Sequence, residues 1–79
     1  MSLLEDLGKP DFETDLAKWW LEKDLTKYAK DKKTQVWKIY EKDTKDLVWG
    51  ITYNGCLNSV HGSLEAVVSK LDIMNALRR

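Results

Sequence analysis

The chain holds one cysteine, Cys56, and one histidine, His61, five positions apart. A thiol and an imidazole act as nucleophile and base when they lie within hydrogen-bond reach and a third group orients the base. No glycine-rich elbow adjoins either residue, and the pattern favours a buried thiol and a histidine in a surface turn. We therefore predict no catalytic residues, and we expect that the protein is not an enzyme.

The carboxylates follow no metal-ligand spacing. They lack the Asp-x-Asp-x-Asp-Gly order of a calcium loop, and a single cysteine with a single histidine falls short of the four ligands of a structural zinc site. The carboxylates in question are Glu41, Asp43, Asp46 and Glu65. No phosphate-binding glycine loop is present. We predict no metal site and no cofactor.

The lysines are candidates for binding a negatively charged partner. Residues 23–45 contain eight basic and four acidic residues, whereas residues 1–22 contain two basic and six acidic ones. Lys38 and Lys42 flank Tyr40, and an aromatic ring between lysines, over the bare Gly50, can stack on a base beside a bound phosphate. Nucleic-acid binding through this basic segment is therefore the alternative function. Its candidate residues are Lys23, Lys27, Lys30, Lys32, Lys33, Lys38, Tyr40 and Lys42.

A long helix is predicted from residue 10 or 11 to about residue 30, after a short helical turn over residues 2–7. Proline suits a first helical turn, and acidic residues at the start with lysines at the end match the helix dipole. At helical spacing the apolar residues fall on two sides. One side holds Phe12, Leu16, Trp19 and Trp20, and the other holds Ala17, Leu21, Leu25, Tyr28 and Ala29.

One small sheet cannot cover both sides of such a helix. We therefore expect the helix to bend near residues 22–24 or to be held by a partner protein or a second copy. Adjacent Trp19 and Trp20 would point about 100° apart on a helix, so only one reaches the core. The other is a candidate interface anchor, because tryptophan is enriched in binding hot spots. The predicted protein interface is Trp19, Trp20, Leu21, Leu25 and Tyr28.

Two strands are predicted over residues 36–42 and 47–53, joined by a turn at residues 43–46. A loop of two or four residues would mix polar and apolar side chains on both faces. A loop of three or five residues would gather the apolar ones on one face, and we predict this register. The buried face would then hold Trp37, Ile39, Trp49, Ile51 and Tyr53.

Asn54-Gly55 predicts a tight hairpin turn, because both residues tolerate positive φ. A short third strand over residues 56–60 should follow it. Ser63 is the expected N-cap of a final helix. The apolar stripe of this helix should pack on the sheet and consists of Leu64, Val67, Val68, Leu71, Met74 and Leu77.

The predicted fold is α+β: an N-terminal helix, possibly bent, an antiparallel sheet of two to three strands, and a C-terminal amphipathic helix on one sheet face. Residues 1–79 should form one small domain. A lone thiol, the lack of an apolar leader and an uncharged stretch too polar to span a membrane predict a cytoplasmic location.

The function expected from these observations is that of a non-enzymatic protein-interaction protein. The chain begins with Met1, and we expect a small stand-alone gene product, such as an adaptor or an inhibitor from a phage or another mobile element. Its partner should be another protein or a second copy of the chain in a homo-oligomer.

Overall fold

The computed structural model describes residues 7–77, which form a five-stranded antiparallel sheet and two helices. Each strand pairs with its neighbours along the chain, so the sheet order is β1-β2-β3-β4-β5. The strands are Phe12–Glu13 (β1), Ala17–Leu21 (β2), Thr34–Glu41 (β3), Leu47–Tyr53 (β4) and Cys56–His61 (β5). The helices are Lys23–Tyr28 (α1) and Leu64–Leu77 (α2). Residues 2–6 of the predicted first helical turn lie outside the described residues.

The predicted N-terminal helix is wrong, because most of it is a β-hairpin. The Thr14 hydroxyl oxygen accepts hydrogen bonds from the backbone N–H groups of Leu16 and Ala17, at 3.2 and 3.1 Å, which closes a tight turn between β1 and β2. Strand β2 then runs antiparallel to β3. Side chains alternate between faces along a strand, so Trp19 and Trp20 lie on opposite sides of the sheet. Only α1 keeps the predicted helical conformation.

The predicted pairing of β3 with β4 is also wrong. Lys38 lies opposite Trp49 and Trp37 lies opposite Gly50, which is the register expected from an even-numbered loop. The prediction assumed one apolar face and one polar face. The sheet instead has apolar side chains on both faces. The observed register therefore distributes the apolar residues between the two faces and still leaves the core side chains buried.

One face of the sheet, called here the covered face, carries the main core. Val67, Leu71 and Met74 of α2 pack against Val36 and Ile51 of the sheet, and these five side chains are buried. Around them lie the partly buried Leu25, Ala29 and Trp49. Both helices therefore pack on the same side of the sheet, the side that also holds Trp20.

Helix α1 is held in place by polar contacts with β3 and with α2. The backbone N–H of Val36 donates to the Thr26 hydroxyl at 2.9 Å. The Tyr28 hydroxyl donates to the Asp72 carboxylate on α2. This hydrogen bond to a carboxylate raises the pKa of Tyr28 above its usual value of 10.0. The side-chain oxygen of Asn75 accepts the Lys30 N–H at 2.9 Å, which ties the segment after α1 to α2.

The second half of the chain follows its local signals. Asn54 and Gly55 have φ values of 53° and 83° and form the turn between β4 and β5, which confirms the predicted hairpin. The Ser63 hydroxyl accepts the Ala66 N–H at 3.2 Å, as expected of an N-cap. The C-terminal helix forms as predicted, and Val67, Leu71 and Met74 of its apolar stripe are buried. Leu64 and Leu77, which were expected to pack on the sheet with them, are exposed. With five strands in place of two or three, the fold remains α+β but differs from the predicted arrangement.

Candidate functional site

The face of the sheet opposite the helices is apolar and exposed. Register places Trp19 of β2, Trp37 and Ile39 of β3, and Leu57 and Val60 of β5 on this side. Within residues 7–77, neither helix packs on it. We call this surface the open face and define it as Phe12, Leu16, Trp19, Trp37, Ile39, Val48, Leu57 and Val60. It is the main candidate functional site, because large contiguous apolar patches on a protein surface mark binding sites.

Aromatic rings form a row across the open face. The ring centres of Phe12 and Trp19 lie 6.2 Å apart at an interplanar angle of 71°. Those of Trp19 and Trp37 lie 5.9 Å apart at 77°. Both contacts are edge-to-face, the arrangement that aromatic pairs prefer. The Trp37 indole N–H donates to the Thr52 hydroxyl at 3.1 Å, which fixes the ring against β4.

Two shallow cavities lie on the open face, and both are lined by Trp19 and Leu57. The larger, of about 510 Å³, is bounded by the aromatic row, and its other lining residues are Asp11, Gln35, Thr52 and Gly55. The smaller, of about 290 Å³, is lined also by Leu16, Ala17, Ile39, Glu41, Asp43, Val48 and Val60. Trp19 thus stands between two depressions that a partner could fill.

Several side chains of the open face are about half exposed although they are large and apolar. Phe12 is 54% exposed, Leu57 52% and Val60 49%. Gly50 lies on the same side of β4 and is buried, because Ile39 and Leu57 pack over it: a Cβ atom at this position would lie 2.6 Å from the Ile39 Cδ1 and 3.1 Å from the Leu57 Cδ1. The expectation that Tyr40 lies over a bare Gly50 is therefore wrong, since register places Tyr40 on the opposite face.

The charged residues that line the two cavities are all acidic. They are Asp11 in the larger cavity and Glu41 and Asp43 in the smaller one, and no described lysine or arginine lines either. The Asp11 carboxylate accepts the Leu21 N–H at 2.8 Å, which holds it beside the first two strands. The open face is therefore apolar at its centre and negative at its margin.

The five residues of the predicted protein interface do not form one surface. Trp19 and Leu21 lie on the side of the open face, whereas Trp20 is buried on the other side and its indole N–H donates to the Gly8 carbonyl at 3.2 Å. Leu25 packs against the core and Tyr28 is hydrogen-bonded to α2. Of the five, Trp19 is the residue that lies beside the exposed apolar residues of the open face.

The lysines of the predicted nucleic-acid site are also divided. Lys23 and Lys27 lie on α1, and Lys30, Lys32 and Lys33 line a shallow depression after it together with Asp31. The Nζ of Lys38, on β3, lies 3.8 Å from the Glu22 carboxylate. The Nζ of Lys42, directly after β3, donates to Glu13 at 2.8 Å and to the Thr14 carbonyl at 2.9 Å. Lys38 and Lys42 beside Tyr40 thus have acidic partners of their own.

The Glu13–Lys42 ion pair has a measurable pH signature. Its hydrogen bond from the Lys42 ammonium holds the pKa of Glu13 below the usual 4.5, with smaller effects of the charges of Lys42 and Lys18. A lowered carboxyl pKa stabilises the fold above the unfolded-state pKa, and this stabilisation is lost as pH falls through the lower folded-state value.

We expect Lys42→Met to raise the pKa of Glu13 back toward 4.5, because the main cause of its lowering is removed. Carboxyl carbon NMR over a pH titration measures this value, and Lys45→Met on the exposed turn serves as a control that should leave it unchanged. An unaltered Glu13 pKa in Lys42→Met would contradict the ion pair.

Cys56 and His61 do not form a catalytic pair in this fold. They lie at the two ends of β5, about 16 Å apart at the rise of an extended strand. The thiol of Cys56 is exposed, not buried as predicted, and the His61 Nε2 lies 2.9 Å from the Ser59 hydroxyl. Among residues 7–77, no group of three or more histidine, cysteine or carboxylate side chains is placed to hold a metal ion.

Neither described helix has the length and apolar character needed to cross a membrane. Comparisons of the chain with protein-family models, with curated protein sequences and with solved structures found no match. The open face therefore has to be interpreted from its own geometry and charge.

Proposed function

We propose that the chain is a non-enzymatic protein-interaction protein that binds its partner through the open face. The observation that carries this proposal is an apolar sheet face with half-exposed Phe12, Leu57 and Val60 and no described helix packed on it. Burying such a surface is favourable by about 25 cal/mol per Å² of apolar area, and this gain is the driving force for association.

The partner that suits this face is a protein with an apolar patch and basic side chains around it. The carboxylates of Asp11, Glu41 and Asp43 at the two cavities supply the complementary charge. Complementary charges at the margin of an interface speed association and select among partners. A nucleic acid would meet repulsion here, because its phosphates carry the same sign as these carboxylates.

A partner of different sequence suits the open face better than a second copy. Two open faces packed on each other would bring the carboxylates of both copies into one interface, where like charges destabilise the contact. A single face of this kind is sufficient for an inhibitor, whereas an adaptor needs a second binding surface. A lone, exposed thiol at Cys56 accords with a reducing compartment such as the cytoplasm.

The proposal is tested by comparing which proteins the wild-type chain and two variants capture from a host lysate. Leu57→Lys with Val60→Lys places two positive charges on the open face. Ile73→Lys, at an apolar side chain of α2 with similar exposure of 55%, is the matched control. We expect a stoichiometric protein partner that is retained by the control and lost by the open-face variant.

The lysate is divided into two halves, and one half is treated with nuclease before capture. A partner that binds wild type and both variants equally would overturn the proposal. Recovery that disappears only with nuclease would move the binding site to the lysines of residues 23–45.

A further inference from the structure

We propose that the larger cavity of the open face is a cation site that receives an arginine side chain of the partner protein. This inference rests on the function proposed above and names the group that the partner inserts. We call the site the aromatic corner and define it as Phe12, Trp19, Trp37 and Asp11, all of which line the cavity.

The walls of the aromatic corner consist of side chains that can attract a cation. The interplanar angles of 71° and 77° set successive rings nearly perpendicular, so the cavity is bounded by aromatic surfaces of different orientation. Aromatic faces carry negative electrostatic potential and attract cations whose centre lies within about 6 Å of the ring. Tryptophan is the strongest of the aromatic side chains in this interaction.

The charge of the cavity also favours a cation. Asp11 is its one charged residue, and its Oδ2 already lies fixed by the Leu21 N–H. The Thr52 hydroxyl oxygen accepts the Trp37 indole N–H, whereas the buried Trp19 indole N–H has no hydrogen-bond partner among the described residues. No described lysine or arginine lines the cavity to neutralise Asp11 or to attract an anion.

The size of the cavity and the shape of the guanidinium group support arginine as the occupant. A volume of about 510 Å³ lies within the range of roughly 300–1,000 Å³ of small-ligand sites. The planar guanidinium stacks on aromatic rings and donates paired hydrogen bonds to a carboxylate. The aromatic corner offers both kinds of contact within one depression, and Leu57 adds an apolar wall for the methylene groups.

The probe for this site is Nα-acetyl-arginine methylamide, titrated into the full-length protein while the four tryptophan indole N–H signals are followed by NMR. We expect saturable shifts of the Trp19 and Trp37 signals, with a dissociation constant on the order of 10 mM. The signals of Trp20 and Trp49, on the covered face, should not move. The citrulline analogue has the same shape without the charge and should bind at least about fivefold more weakly.

Two variants locate the cation. Asp11→Asn retains an oxygen for the Leu21 N–H but removes the charge, and Trp19→Phe retains an aromatic ring with weaker attraction for cations. Each should lower the association constant of the arginine probe about fivefold, whereas the exposed control Asp46→Asn should leave it unchanged. Equal binding of arginine and citrulline, or an unchanged association constant in Asp11→Asn and Trp19→Phe, would overturn the proposal.

The outcome is distinguishable from failure of the proposed function. If the arginine probe does not bind while the Leu57 and Val60 variants still lose the partner, the cation site is wrong and the interaction surface stands. If the probe binds but those variants retain the partner, the cavity takes arginine and the open face is not the partner surface.

Discussion

Leu71→Ala is expected to leave a large fraction of the molecules unfolded at 25 °C. Leu71 is fully buried where α2 meets Val36 and Ile51. Replacing a buried leucine by alanine costs about 2–5 kcal/mol through lost burial and the cavity left behind. A domain of this size has a total free energy of unfolding of only about 3–5 kcal/mol, so one substitution can remove most of it.

Urea denaturation followed by circular dichroism measures this change. Leu77→Ala is the matched control on the same helix, because Leu77 is 81% exposed. Its free energy of unfolding should remain within about 0.5 kcal/mol of wild type, as is usual for exposed sites. A wild-type denaturation midpoint for Leu71→Ala would show that α2 does not pack on the sheet.

Trp19→Ala should weaken partner binding by about 30-fold or more. Trp19 lies between the two cavities of the open face and contacts both Phe12 and Trp37. Removal of a central tryptophan from an interface typically costs at least about 2 kcal/mol of binding free energy. Titration calorimetry with the captured partner measures the loss, at a temperature where circular dichroism shows the variant folded.

Trp20→Ala is the contrasting substitution one position along the chain. Trp20 is buried on the covered face and its indole N–H is bonded to Gly8. Its loss should therefore lower the melting temperature and leave the affinity of the folded protein close to wild type. If Trp20→Ala weakens binding and Trp19→Ala does not, the assignment of the open face as the interface is wrong.

The elements that the sequence predicts well are those whose signals are local. The Asn54-Gly55 turn needs positive φ at both residues, and few other dipeptides offer it. The stripe of Val67, Leu71 and Met74 recurs at helical spacing over 14 residues of α2, long enough to distinguish a helix from a strand. Both features form as predicted because the interactions that define them lie within a few residues.

Strand β2 is not predicted because its longer pairing, with β3, joins residues that are distant in the chain. Strand β2 has only five residues, and its pairing with β3 joins Ala17 to Glu41 and Leu21 to Trp37. In so short a segment, apolar residues can fit both the helical and the strand period. Proline and acidic residues near its start also resemble the beginning of a helix, so local preference favours the wrong element.

Predicting the register of β3 and β4 from their apolar residues requires knowing whether one or both faces of the sheet are apolar. Assigning Trp37 and Trp49 to one face is correct only if the sheet has a single apolar face. The structure places Trp37 on the open face and Trp49 on the covered face, opposite Lys38. The same assumption hid the open face, since Trp37 was assigned to the buried face and the opposite face of these two strands was expected to be polar.

Of the predicted interface residues, Trp19 is the one that lies in the candidate site beside exposed apolar residues. Its residue type marked it as a candidate anchor. Its neighbours Trp37 and Leu57 come from other strands, and only the sheet register brings them to the same face. Apolar residues at both odd and even positions of β3 and β4 were the signal of a sheet with two apolar faces. That signal is visible in the sequence once both strands are aligned without assuming a polar side.

The accessibility of the open face is measured most directly by NMR with a soluble paramagnetic agent, applied to methyl-labelled protein alone and with its partner. In the free protein, the methyl signals of Leu57 and Val60 should broaden as strongly as that of exposed Ile73, while those of Ile51 and Leu71 stay sharp. Added partner should protect Leu57 and Val60 and leave Ile73 exposed. Protection of Leu57 and Val60 in the free protein, or their continued broadening in the complex, would contradict an uncovered sheet face that serves as the interaction surface.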